Sequence, residues 1–232
     1  MKRLASLALA LFVFTACDDD DDPDGPEDLA LVRIVNAAPE AANASVSVFE
    51  GTTQLAGGVG FQTATTCSNV IELDPGQHTL VFRRTGQTTD LETETFDFDE
   101  GETYTIVLFN SGTNLDAVVF RDDPTAPGAG NNAVRIINAT NTAGDVFVTA
   151  PAGALTPVDI GGLASGAQTT SNTFREFPTT DTQFRLFNVG ATTGNRGDIT
   201  ITGLPTSRMT TVIFTEPQAP TGTSRTLQMN PC

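Results

Sequence analysis

The sequence predicts an all-β protein made of two tandem Ig-like antiparallel β-sandwich domains. Three observations predict this fold. Segments rich in Thr, Val, Ile and Phe alternate with a period of two, as in Thr103–Phe109. Turn sequences such as Asp74-Pro75-Gly76 and Glu100-Gly101 separate these segments. Much of the chain is also repeated once, and no amphipathic helix is recognised after the N-terminal segment.

The N-terminal residues 1–16 are predicted to be a signal peptide. Lys2 and Arg3 form a positively charged start, and Leu4–Phe14 forms an apolar stretch that ends before the small residue Ala16. The apolar stretch is short for a helix that must cross a hydrocarbon core of about 30 Å. A cleaved leader is therefore favoured over a retained transmembrane helix.

The end of this leader, Phe14-Thr15-Ala16-Cys17, resembles the lipobox of bacterial lipoproteins. The resemblance implies that Cys17 becomes the first mature residue and carries palmitate-type acyl chains. We then expect a protein of the bacterial cell envelope, lipid-anchored at Cys17 to the membrane and facing the periplasm or the cell exterior. The alternative is ordinary secretory cleavage nearby, which would leave Cys17 as a free thiol.

The charge of the chain limits its partners. Its formal net charge is −16, and Lys2, its only lysine, is lost with the leader. Such a chain is repelled by nucleic acid and by anionic lipid surfaces, so neither is expected to bind it. Residues 17–30 are predicted to be a disordered tether, because like charges and Pro/Gly in Asp18–Pro26 oppose helix and strand formation.

An internal repeat organises the remainder of the chain. The segment Val32–Ala37 recurs as Val134–Ala139, and Tyr104–Phe109 is aligned with Met209–Phe214. Gly57-Gly58 similarly recurs as Gly161-Gly162. We therefore predict a first β-sandwich at residues 31–123, a Pro/Gly linker at 124–131 and a second β-sandwich at 132–232, each able to fold alone.

Three motifs of the first copy resemble the bacterial domain of unknown function 4397. They are the Val-Arg-Ile-x-Asn-Ala opening at Val32, the turn Leu73–Leu80, and the Gly-x-x-Tyr-Thr segment at Gly101. The second copy is similar but weaker. The resemblance implies exported, often lipid-anchored proteins with a sandwich fold and no established activity, and it supplies no catalytic residues.

Catalytic chemistry is not expected, and neither is a cofactor. His78 is the only histidine, and its place after a Pro-Gly turn predicts an exposed turn residue. A Ser-His-Asp or Cys-His arrangement would depend on it, and it cannot supply a multi-histidine metal site. Without lysine in the mature chain, Schiff-base chemistry is excluded as well.

The acidic group formed by Asp97, Asp99, Glu100 and Glu102 is the one candidate metal site. Carboxylate oxygens are ligands for Ca²⁺, so weak calcium binding is a hypothesis here. The competing interpretation is a charged strand edge that discourages pairing with other sheets.

Cys67 and Cys232 are a candidate disulfide. Two cysteines remain in an oxidising compartment if Cys17 is acylated, and such pairs tend to form a bridge. A bridge requires the Cα atoms to lie within about 7 Å of each other, so the two copies would have to lie side by side. An extended, end-to-end pair would leave both thiols free.

These observations favour a non-enzymatic, lipid-anchored envelope protein that acts as a structural or protein-interaction module, with an envelope or surface protein as its possible partner. The alternative is a lipoprotein that binds a small ligand, a glycan or a peptide. A concave patch of polar groups would favour the small ligand, and a flat strand edge would favour a protein. The mature chain has no Trp and one Tyr, which weighs against a sugar-stacking surface.

Overall fold

The computed structural model describes residues 29–39, 45–111, 114–122, 127–149, 160–168, 175–178, 182–194, 196–201, 209–216 and 225–229. The predicted leader, most of the predicted tether and Cys232 lie outside these residues, as does part of the linker. In the part of the chain that the structure describes, we find no apolar helix of membrane-spanning length.

The all-β fold is confirmed, with four sheets that form two β-sandwiches. The strands of the first sandwich are β1 (Ala30–Asn36), β2 (Val46–Glu50), β3 (Thr53–Val59), β4 (Thr63–Ala64), β5 (Ile71–Leu73), β6 (Gly76–Arg84), β7 (Asp90–Phe98), β8 (Thr103–Ser111) and β9 (Asn114–Asp122). The strands of the second are β10 (Asn131–Ala139), β11 (Gly144–Thr149), β12 (Ile160–Leu163), β13 (Arg175–Pro178), β14 (Thr182–Asn188), β15 (Gly197–Ile201), β16 (Met209–Thr215) and β17 (Arg225–Met229).

Each sandwich has an inner sheet and an outer sheet. Inner sheet 1 has the order β4-β1-β8-β9 with β5 also beside β1, and outer sheet 1 has the order β3-β2-β6-β7. Inner sheet 2 has the order β13-β10-β16-β17, and outer sheet 2 has the order β12-β11-β14-β15. Most strand pairs are antiparallel as expected, but β1–β8 and β10–β16 are parallel. These two pairs join strands that are far apart in sequence, so no hairpin constrains their direction.

Three apolar clusters separate the four sheets. One fills the first sandwich, with Val32, Phe82 and Ile106 among its members, and a second fills the other sandwich around Ile136 and Phe184. The third lies between the two inner sheets. Its buried members are Val35, Ala37, Val107, Phe109, Phe120, Ile137, Ala139, Ile213 and Met229. The layer order is therefore outer 1, inner 1, inner 2, outer 2.

A buried ion pair crosses the interface between the inner sheets. Arg135 Nη2 lies 2.6 Å from Asp122 Oδ1, and the Arg135 side chain is only 2% exposed. Thr105 Oγ1 donates to Asp122 Oδ2 at 2.8 Å, and Thr211 Oγ1 accepts from Arg135 Nη2 at 3.1 Å. Burial lowers the pKa of both Arg135 and the neighbouring Arg33, whereas the Asp122 carboxylate counteracts this effect.

The repeated Asn of the Val-Arg-Ile-x-Asn-Ala motif has the same role in both sandwiches. Asn36 Nδ2 donates to the carbonyl of Val59 at 3.1 Å, and Asn138 Nδ2 donates to the carbonyl of Leu163 at 2.8 Å. In each copy the amide therefore ties the end of the first inner strand to the first outer hairpin. The motif encodes a sheet-to-sheet connection as well as a strand.

The alignment of the last repeated strand is wrong by one residue. Asn36 is the partner of Leu108 in β8, whereas Asn138 is the partner of Phe214 in β16. Leu108 therefore corresponds to Phe214, and Tyr104 corresponds to Thr210 rather than to Met209. Because neighbouring residues of a strand point to opposite faces, a shift of one residue exchanges the sandwich core for the interface between the inner sheets.

Candidate functional site

The acidic candidates at the end of β7 do not converge on a common point. Arg121 binds Glu102 through two nitrogens, with Nε at 2.9 Å from Oε2. Asp99 Oδ2 accepts a hydrogen bond from the Tyr104 hydroxyl at 3.2 Å and lies 3.8 Å from Arg121 Nη1. Asp97 and Glu100 are exposed. Among the described residues, no group of three potential metal ligands is assembled. The arrangement does not support the calcium hypothesis.

Tyr104 lies at the base of this acidic turn. Its ring packs edge-to-face on Phe98, with centroids 5.0 Å apart, and its hydroxyl also accepts from the Asp99 amide at 2.9 Å. Burial raises the pKa of Tyr104 above its ordinary value, and the Asp99 carboxylate adds to the increase. The residue thus connects the core of the first sandwich to the β7–β8 turn.

We expect Tyr104 to ionise at higher pH in the folded protein than in the unfolded chain. The stability that depends on its neutral form is complete below the unfolded pKa of about 10 and decreases as the pH rises through the folded pKa. Tyr104 is the only tyrosine, and there is no Trp, so the absorbance of tyrosinate reports on this residue alone. Identical titration curves for the folded protein and the urea-unfolded chain would contradict the expectation.

His78 is not the exposed turn residue that the sequence predicted. It lies within β6, and its side chain is only 13% exposed. Its Nδ1 is 2.8 Å from Glu50 Oε1, and its Nε2 is 2.8 Å from the carbonyl oxygen of Asp74. Both ring nitrogens therefore have hydrogen-bond partners, one on β2 and one in the turn before β6. This arrangement indicates a structural role for His78.

The two edges of outer sheet 1 differ in charge. β7 carries Asp90, Glu92, Glu94 and Asp97, and it contacts β9 of the inner sheet. β3, at the opposite edge, has the sequence TQLAGGV with no charged side chain, and within the described residues it pairs only with β2. Charged side chains on an edge strand discourage pairing with another chain. β3 has no such protection.

A groove opens beside β3. Its volume is about 470 Å³, and it separates β3 from the segment that contains β4 and precedes β5. The lining residues are Leu55, Ala56, Gly57, Gly58, Val59, Thr63, Ala64, Thr65, Thr66, Ser68, Asn69 and Val70. None of these is charged and none is aromatic, so the groove offers backbone groups, hydroxyls and small apolar side chains.

Local sequence explains the shape of this edge. Gly58 has φ +72°, a left-handed conformation that glycine adopts at no steric cost, and the β2–β3 register shifts between Val46 and Val48. Gly162 has φ +62° beside the corresponding shift between Gly144 and Val146. The repeated Gly-Gly pair thus marks a bulge in the first outer hairpin of each sandwich.

Sequence reasoning missed the groove, although a signal was present. No charged residue occurs between Glu50 and Glu72, whereas 17% of the chain is charged. The stretch contains β3, β4 and all the lining residues of what we call the edge groove. An uncharged surface segment in a strongly acidic protein was therefore the one sequence feature that indicated the edge groove.

Cys67 lies in a turn at the rim of the edge groove, between the lining residues Thr66 and Ser68. Its predicted partner Cys232 and the predicted lipidation site Cys17 lie outside the described residues. The two inner sheets pack face to face, so the sandwiches lie side by side rather than end to end. The bridge itself stays a prediction.

A family model described as "Domain of unknown function (DUF4397)" matches residues 30–149, just over half of the chain. The chain belongs to the DUF4397 family. The DUF4397 match contains the whole of the first sandwich and the edge groove, and it extends through β10 and β11 of the second.

One solved structure similar to this DUF4397 chain is the module CBMbc of family CBM26 from Eubacterium rectale Amy13K, in complex with maltoheptaose. The identity is 11%, the alignment covers 88% of this chain and 97% of that module, and the TM-score is 0.26. A likeness this low indicates nothing about a ligand of the DUF4397 chain. No curated protein matches the chain.

Proposed function

We propose that this DUF4397 protein is a non-enzymatic cell-envelope lipoprotein, anchored through Cys17, that acts as a structural or protein-interaction module. The leader and the lipobox-like Phe14–Cys17 support the anchor. A Cys67–Cys232 disulfide would connect the two sandwiches and hold them in one orientation on the acidic tether.

The observation that carries the interaction role is the uncharged edge of β3, which has no strand partner beyond β2 among the described residues. An edge strand presents unpaired N–H and C=O groups, which an extended segment of a partner protein satisfies by adding a strand. The uncharged walls of the edge groove impose no charge requirement on that segment, while the acidic β7 edge disfavours the same pairing on the other side.

The alternative function, binding of a glycan or a short peptide, is favoured by the concave groove and its hydroxyl groups. The exposed hydroxyls of Thr66 and Ser68 lie 3.0 Å apart and could serve a polar ligand. Glycan sites commonly place an aromatic ring under the sugar, and the lining of the edge groove contains no aromatic residue. A protein partner is therefore the better-supported choice.

Site-specific photocrosslinking tests the proposal. A photoreactive amino acid replaces Ser68 on the edge groove or, as the matched control, the exposed Thr93 on β7. We expect a discrete covalent adduct with an envelope protein from position 68 and none from position 93. Equal adducts from both positions, or none from either, would reject a protein partner at β3. Binding of a glycan by the intact protein without any adduct would establish the alternative.

A further inference from the structure

The interface between the inner sheets has a nearly two-fold arrangement. Val107 and Ile213 are equivalent in the two repeats, and both are buried in the interface cluster. Phe120 and Met229 occupy the matching positions on β9 and β17, opposite Thr105 and Thr211. Each repeat thus presents the same face to the other, as the subunits of a symmetric dimer do.

Two equivalent positions in the turns beside this interface differ between the repeats. Gln62 N donates to the carbonyl of Asn36 at 2.7 Å, and Gly166 N donates to the carbonyl of Asn138 at 2.8 Å. Both residues have positive φ, +56° for Gln62 and +70° for Gly166. The two turns therefore share one backbone conformation, with a long side chain in the first repeat and none in the second.

The long side chain of Gln62 contacts a small strand residue, Thr215, whereas Gly166 lies against a large one, Phe109. Phe109 follows Leu108 in β8, and Thr215 follows the equivalent Phe214 in β16. Gln62 Nε2 donates to Thr215 Oγ1 at 2.8 Å. At the related contact, a Cβ on Gly166 would lie 2.5 Å from Cζ of Phe109. The large ring therefore occupies the space that the absent side chain leaves.

We propose that two contacts, Gln62 with Thr215 and Gly166 with Phe109, determine which repeats can pair. They make the interface side of each repeat fit the other repeat and not a second copy of itself. Two first repeats would place Gln62 against Phe109, which overfills the contact and leaves the amide without Thr215. Two second repeats would place Gly166 against Thr215, which leaves a void. Specificity of this kind arises from penalties on wrong pairs as well as from contacts in the right one. The facing sides of the two inner sheets therefore pair within one chain rather than between two chains.

Variants of the chain that lacks the leader and Cys17 can reproduce each wrong contact separately. Gly166→Gln places a glutamine against Phe109, as in a pair of first repeats, and we expect the thermal midpoint to fall by roughly 5 °C through overpacking. Phe109→Thr places a threonine against Gly166, as in a pair of second repeats, and should lower the midpoint by roughly 5–10 °C through the cavity it creates.

The double variant is decisive, because it forms a second Gln–Thr pair like that of Gln62 and Thr215. We expect its thermal midpoint to exceed that of either single variant. Gly162→Gln is the matched control for strain, because Gly162 has φ +62° and an added Cβ there meets no atom within 4 Å. The proposal would be overturned if the thermal midpoint of the double variant fell by the sum of the two single decreases. It would also be overturned if Gly162→Gln lowered the midpoint as much as Gly166→Gln.

Discussion

Asp122→Asn is expected to destabilise the protein by about 3–5 kcal/mol, because it leaves the buried Arg135 without its carboxylate partner. The Arg135 side chain is only 2% exposed, so water cannot solvate the guanidinium once the carboxylate is gone. Thr105 and Thr211 would remain as neutral partners, which do not balance a cation. The measurement is chemical unfolding of the chain without its leader and Cys17, followed by far-ultraviolet circular dichroism.

Two further variants identify the cause of this loss. Adding Arg135→Met to Asp122→Asn removes the stranded cation and is expected to recover part of the stability. Glu102→Gln breaks the more exposed pair with Arg121 and is expected to destabilise the protein much less than Asp122→Asn does. A loss below about 1 kcal/mol for Asp122→Asn would show that the interface does not depend on this ion pair.

Cys17→Ser is expected to move the protein completely from the membrane fraction to the soluble fraction. Each buried CH₂ of an acyl chain contributes about 0.8 kcal/mol to membrane binding, and stable anchoring requires more than one chain. The variant removes the sulfur to which the lipid would be attached. The measurement is fractionation of cells followed by immunodetection, with the mass of the mature protein as a second readout.

Cys67→Ser is the matched control for this experiment. This variant also removes one cysteine, but Cys67 lies in a turn of the first sandwich, away from the predicted anchor in the sequence. The variant is therefore expected to stay in the membrane fraction. If Cys17→Ser stayed in the membrane fraction as well, the lipid anchor would be ruled out and another attachment would have to be found.

The candidate site could be predicted only in part. The uncharged stretch between Glu50 and Glu72 is visible in the sequence, but a low charge does not say whether a segment is buried, paired or free. Whether β3 has a free edge depends on which strands occupy each sheet, and those pairings join residues far apart in the chain. For the same reason the position of His78 within β6, in reach of Glu50, was not predicted.

The sequence by itself determined the all-β class and the repeat. Both follow from local features: alternating Val, Ile, Thr and Phe, turn residues between strands, and the recurrence of Val32–Ala37 at Val134–Ala139. Only the tertiary structure decided what covers each face of the inner sheets. A period of two shows that Arg135 points away from Ile136, but not that the first sandwich lies on that side and places Asp122 beside the guanidinium. The pattern along a strand is set by its own residues, whereas the burial of its second face depends on packing between distant segments.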